Sequence, residues 1–243
     1  MKPVMQTATK PAAGPPSTRT PSTRTAAPRT APTRAAPGGW ARALMHPAAK
    51  PALFMLCLLP LAWLVYAAFT NQLGANPAEA LIRRLGDWTM RGLWLTLAIT
   101  PLRQITGWAS LARFRRMLGV FSFSYASLHL LAYGWLDMSL NFTDIAVDIA
   151  KRPFILMGFT AWLLLIPLAA TSFNRVIKAI GAKRWQTLHK AVYAIAVIGL
   201  LHFIWMRAGK HNFAEPAVYG VILAVLLGWR VWNRLRQRRP RLG

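Results

Sequence analysis

Three of the chain's five histidines lie inside apolar stretches. His129 sits in MLGVFSFSYASLHLLAYGWL (117–136), and His189 and His202 share LHKAVYAIAVIGLLHFIWM (188–206). An imidazole in hydrocarbon must be partnered, because an unpaired polar group is costly there. The partner is either a hydrogen-bonding group on a neighbouring helix or a metal, for which imidazole is the commonest side-chain ligand. At about 1.5 Å per helical residue, His129 lies about 18 Å along its run from Met117, and His202 about 21 Å along its run from Leu188. If both runs cross in the same direction, two imidazoles stand at one depth on two helices. That arrangement suits axial ligation of a haem, a planar apolar ring that fits between helices. A bis-histidine iron is low-spin and coordinatively saturated, which favours electron transfer over oxygen chemistry. No C-x-x-C-H sequence is present, so the haem would be b-type.

Zinc is the competing metal, but it normally takes a third protein ligand. No Asp or Glu lies within any apolar run, and the same absence argues against a proton-coupled transporter. His189 precedes His202 by thirteen residues. On a straight helix that is about 1300° of rotation, which leaves the two roughly 140° apart in direction. A bend, at Gly199 for example, would realign them. The run containing His129 offers no histidine at the level of His189. Arg115 and Arg116 occupy that level instead and suit haem propionates or lipid phosphates. His46 and His211 lie outside the runs and are assigned no role.

These side chains need helices to hold them, and the 243-residue chain, 55% hydrophobic, supplies enough apolar length. Runs near 51–70, 88–102, 117–136, 153–172, 188–206 and 216–233 approach the roughly 20 residues that span a bilayer as a helix. The expected fold is an all-α membrane protein, a bundle of six transmembrane helices. The second run is the shortest, with Arg91 at its start and Pro101 near its end. The formal net charge of +24 would suit a nucleic-acid binder, but the cations gather in tails and links, so membrane lipid is the partner and nucleic acid is not. The basic links are the N-terminal tail, 103–117, 174–186 and 230–243; the links 71–87, 137–152 and 207–215 hold the acidic residues. Positive-inside bias then places both termini in the cytoplasm. Trp88, Trp135, Trp185 and Trp205 fall near run ends, as an interfacial belt would.

Residues 1–45 read as a disordered basic tail, rich in Pro, Thr, Ala and Arg. The tail has the composition of a transit peptide but reads more simply as a solvated leader. Residues 46–236 form the membrane domain and 237–243 a short basic tail. NPAEALIRRLGDW (76–88) reads as a short periplasmic helix, with Asn76 as N-cap, Pro77 in the first turn and Glu79 three residues after the cap. The link 103–117 reads as an interfacial amphipathic helix. A single cysteine, Cys57, excludes an internal disulfide and a thiolate cluster.

Several motifs in order, NPAEALIRRLGDW, LAITPLRQITG, RRMLGVFSFSYASLHLLAYGWLD, KRPFILMGF, PLAATSFN and GAKRWQTLHKAVY, resemble the MsrQ family. These are haem-binding membrane subunits of bacterial periplasmic methionine-sulfoxide reductase systems, within the ferric reductase and NADPH oxidase transmembrane group. The resemblance implies that His129, His189 and His202 are the haem-ligand histidines. It implies one b-type haem, or two stacked across the membrane, the inner one with His189 as its sole histidine. It further implies FMN, although no flavin fingerprint is visible. The implied location is the bacterial inner membrane. The implied partners are a periplasmic molybdopterin catalytic subunit, where the sulfoxide is reduced, and a cytoplasmic flavin reductase or the quinone pool as donor. The chain would then be an electron-transfer subunit of an oxidoreductase complex. It ends about ten residues after its last run, leaving no flavin domain of its own. The alternatives are a ferric or quinone reductase with a small-molecule acceptor, and a haem-free transporter or scaffold.

Overall fold

The computed structural model describes residues 39–208 and 213–238. Most of the expected tail (1–38), residues 209–212 with His211, and residues 239–243 lie outside them. Every described element is helical. A short helix α1 (Gly39–Met45) leads into α2 (Ala49–Phe69), and α3 runs from Pro77 to Thr106. A 3-10 turn (Ala109–Arg113) precedes α4 (Arg115–Ala132), which passes into one π turn (Tyr133–Asp137). Then come α5 (Phe142–Lys151), α6 (Pro153–Ala170), α7 (Asn174–Ile180), α8 (Ala182–Leu188), α9 (Ala191–Ala208) and α10 (Ala214–Arg238).

Three sequence expectations need correction. NPAEALIRRLGDW is not a separate helix; it forms the first turns of the 30-residue α3. The cap itself is as read, for the Asn76 side chain accepts from the Glu79 amide at 3.1 Å. The helix runs on, carrying Pro101 inside it, until Gly107, whose left-handed φ of 73° suits a residue without Cβ. This also shortens the 103–117 link, which holds a 3-10 turn rather than an amphipathic helix. The bend in the fifth run lies at His189 and Lys190, between α8 and α9, and not at Gly199, which is inside α9.

Four helical segments are long and apolar enough to cross a membrane: Ala49–Phe69, Pro153–Ala170, Ala182–Ala208 taken through the bend, and Ala214–Gln237. Helices α3 and α4 are long but more polar, with Arg83, Arg84, Asp87 and Arg91 on α3 and Ser122, Ser124 and Ser127 on α4. Large apolar side chains face outward on the flanking helices, including Met55, Leu59 and Phe69 on α2 and Val221, Val225 and Trp232 on α10. So much exposed apolar surface suits a lipid surround. The main core joins α3, α4, α6, α9 and α10 through Leu93, Trp94, Ala126, Leu165, Ile195 and Leu223. Helices α3 and α4 approach closely at Gly92, where a Cβ would fall 2.6 Å from Ser122 Oγ.

Pro60 interrupts α2, and a side chain from α4 repairs the turn. The Leu61 amide donates to Tyr125 Oη at 3.1 Å, and that hydroxyl donates to the Cys57 carbonyl at 2.8 Å. The hydroxyl thus stands between the two groups that would bond directly in a regular helix. Removing it with Tyr125→Phe leaves a half-buried amide and carbonyl short of partners. We expect a stability loss of about 1–3 kcal/mol, read as a lower melting temperature of the purified protein in detergent.

Candidate functional site

The structure brings together two of the sequence-selected histidines. His129 on α4 and His202 on α9 have ring centroids 6.2 Å apart, with their planes crossing at 77°. Each ring is fixed by its Nδ1. In His129 it meets the Ile82 carbonyl at 2.8 Å, and in His202 the Phe154 carbonyl at 2.6 Å. A carbonyl only accepts, so both Nδ1 atoms carry the proton and both Nε2 lone pairs are free to bind a metal. The rings line a cavity of about 500 Å³ shared by α3, α4, α6 and α9. Its walls are largely apolar, with Met90, Leu93, Ile155 and Leu165 among them, and its rim holds Glu79, Arg83, Asp87 and Arg152. Two imidazoles binding one metal from opposite sides, at roughly 2 Å each, would carry their centroids about 6 Å apart. The residues present therefore fit a single hexacoordinate iron in a flat macrocycle. Among the described residues no group of three or more His, Cys, Asp or Glu could hold a metal ion, which disfavours zinc.

The third histidine stands apart. His189 lines a second cavity of about 430 Å³, separated from the first by Leu93 and Leu165, which belong to both walls. Its ring stacks on Trp185 with centroids 4.0 Å apart, and its Nδ1 meets the Trp185 carbonyl at 3.0 Å. Its Nε2 is buried without a hydrogen-bond partner. The facing wall from α4 offers Arg115, Arg116 and Gly119 and no histidine. Arg103, Lys190, Arg230 and Arg234 complete a cationic lining, and Nε of Arg230 is likewise buried and unpartnered. The Arg116 guanidinium already donates to the Ser172 carbonyl at 3.3 Å and to Asn174 Oδ1. This chamber suits an anionic ligand, and its single histidine does not make a second bis-histidine site.

Comparison with known proteins gives the family. The family described as ferric reductase like transmembrane component matches residues 85–200. A protein of Polaromonas naphthalenivorans is 65% identical over 84% of this chain and 93% of its own length. Proteins of Azospira oryzae and Herminiimonas arsenicoxydans are 49% and 51% identical, over 79% and 78% of this chain and 82% and 87% of their own lengths. All three are named protein-methionine-sulfoxide reductase heme-binding subunit MsrQ. The chain belongs to the MsrQ family. The segment matched to the wider ferric reductase group includes His129 and His189 and stops two residues before His202.

In this MsrQ family member, sequence reasoning found the histidines but not what orients them. The acceptors Ile82 and Phe154 are backbone groups and leave no mark in side-chain identity. Phe154 is itself held in place by a clamp at the start of α6. Tyr133 donates to Asp148 Oδ2 at 2.6 Å, and Arg152 Nε meets Asp148 Oδ1 at 2.8 Å. Asp148 is buried, and it ties the π turn after α4 to the residue that precedes α6. The ion pair to the exposed Arg152 adds little; the buried hydroxyl bond matters more. Asp148→Ala is expected to cost about 1–3 kcal/mol by leaving the Tyr133 hydroxyl unsatisfied, checked by thermal unfolding against Arg152→Ala, which should cost less.

Proposed function

We propose that this chain is the haem b electron-transfer subunit of a methionine-sulfoxide reductase system in the bacterial inner membrane. It would link a cytoplasmic flavin reductase or the quinone pool to a periplasmic molybdopterin catalytic subunit, where oxidised methionine in envelope proteins is reduced. The observation that carries this reading is the His129–His202 pair, 6.2 Å apart with both Nδ1 atoms committed to backbone carbonyls. The relatives' name as heme-binding subunits supports it. When bound there, a low-spin haem supplies a one-electron carrier that needs no change of ligands. The protein's contribution is to hold the two imidazoles rigidly, to keep them in the Nδ1-protonated tautomer, and to exclude water with the apolar walls.

The proposal includes six spans. Helix α3 is 30 residues long, about 45 Å at 1.5 Å per residue. Its polar end has interfacial character, with Arg84 over the Trp63 ring and Arg91 over the Trp88 ring, each at 4.7 Å. Helices α3 and α4 pack among the four more apolar segments, where Ser122 is buried and Arg83, Arg84, Asp87 and Ser127 are partly covered. All six acidic residues of the chain belong to the end where His129 and His202 lie or to its links, and the basic α7 and α8 lie at the end of His189. Positive-inside bias then puts the histidine pair in the outer half and both termini inside.

His189, Arg115 and Arg116 mark the donor side. Their chamber offers cations to haem propionates or to the phosphate of FMN, which rests on the resemblance alone, and the His189 Nε2 lone pair to a metal. A ferric or quinone reductase remains the second reading, favoured by the description of the wider family. Reoxidation by iron chelates as fast as by the catalytic subunit would select it. The direct test is an absorption spectrum of the purified protein, oxidised and then dithionite-reduced. We expect low-spin b-type bands that are lost in His129→Ala and in His202→Ala. A colourless wild type, or full haem content with an unchanged spectrum in both variants, would refute the pairing.

A further inference from the structure

The two histidines of the pair are seated in the same way on two different helices. His129 meets the carbonyl of Ile82 on α3, and the residue four positions later is Gly86. His202 meets the carbonyl of Phe154 on α6, and the residue four positions later is Gly158. One helical turn is about 3.6 residues, so each glycine lies directly over the carbonyl that fixes the ring. A Cβ at Gly86 would stand 3.2 Å from both Cε1 and Nδ1 of His129. A Cβ at Gly158 would stand 2.8 Å from Cε1 and 2.9 Å from Nδ1 of His202. An ordinary side chain would therefore occupy the space the imidazole needs to reach the second lone pair of the carbonyl. The obstruction at Gly158 is a clash; that at Gly86 asks the ring to give by a few tenths of an ångström.

We infer that Gly86 and Gly158 are positioning residues for the haem-ligand histidines, each a notch that lets an imidazole dock against a helix and aim its Nε2 into the cavity. This rests on the proposed bis-histidine haem. The glycines touch the ligands and not the iron, so their effect is on ligand orientation. A displaced ring weakens or tilts one axial bond while leaving the cavity open. Losses of an outer partner of a metal-bound histidine typically lower affinity by about 10–100-fold, and the clash distances rank Gly158 above Gly86.

The test uses the full chain in detergent, as wild type, Gly86→Ala, Gly158→Ala and Gly228→Ala. Gly228 has no atom within 4 Å of a Cβ built there, so that variant controls for the general effect of alanine in a helix. Haem affinity is measured by titration, and ligand geometry by the g values of the low-spin ferric EPR signal. We expect at least about tenfold weaker haem binding in Gly158→Ala. Added free imidazole should restore its low-spin signal by filling the vacated axial position. Gly86→Ala should keep its haem with shifted g values, and Gly228→Ala should match wild type. If Gly158→Ala does not accumulate, the g values of Gly86→Ala decide alone. Unchanged affinity and g values in the notch variants would overturn the inference while leaving the haem reading intact. So would loss of haem from Gly158→Ala without recovery on adding imidazole, since that signals a collapsed cavity. A wild type that takes up no haem would overturn the underlying reading and this inference with it.

Discussion

The structure depends on how two imidazoles are satisfied in an apolar interior. Each gives its Nδ1 proton to a backbone carbonyl in a helix. A helical carbonyl already accepts one bond along its own helix but has a second lone pair, so it can serve another helix without loss of secondary structure. This avoids a further buried polar side chain, which would need a partner in its turn. It also demands close approach, because a carbonyl inside a helix is screened by the side chains around it. The glycines at 86 and 158 answer that demand, and Gly92, facing Ser122, lets α3 and α4 approach in the same seam. The same bonds settle which nitrogen remains free. Tautomer, ring orientation and helix spacing are thus one constraint seen at three scales.

Two buried polar residues elsewhere follow the same rule. Among the described residues only Ser122 and Asp148 are buried polar groups, and both are bonded: Ser122 to the Leu118 carbonyl at 2.9 Å, Asp148 to Tyr133 and Arg152. The inserted Tyr125 hydroxyl in α2 repeats the device of lending a side chain to an incomplete turn. Among the described residues five buried side-chain atoms lack a hydrogen-bond partner, Nη1 of Arg84, Oγ of Ser110, Nε of Arg207, Nε2 of His189 and Nε of Arg230, and the last two line the second chamber. They share one cavity, and that cavity is the cationic one.

Much of the site was readable in advance because depth along a helix is a matter of counting. His129 and His202 reach one level since both runs are regular and rise at one rate per residue. The separation of acidic from basic links was equally plain, being a property of composition. What counting could not supply was contact. Nothing in NPAEALIRRLGDW signals that the helix it begins continues through Trp88 for a further eighteen residues, since its cap marks only a start, and Pro101, which reads as a stop, is carried inside the helix. The backbone acceptors Ile82 and Phe154 have no side-chain signature. Glycines in apolar helices have many causes, and only the ring lying over Gly86 and Gly158 distinguishes these two.

The bend in the fifth run shows why angular periodicity misled where depth did not. A rotation of roughly 140° between His189 and His202 assumes one continuous helix. The chain instead ends α8 at Leu188 and restarts at Ala191, with Lys190 N bonded to the Thr187 carbonyl at 3.2 Å and Val192 N to the His189 carbonyl at 3.4 Å. His189 is the residue at which the helix stops, so its direction is set by the turn and by the Trp185 ring beneath it rather than by its phase relative to His202. Both histidines can then face the bundle interior from one run, in separate chambers. The rise per residue is nearly unaffected by so short a break, whereas the phase is lost completely. For that reason a thirteen-residue step is compatible with two inward-facing rings, and the straight-helix objection to it fails.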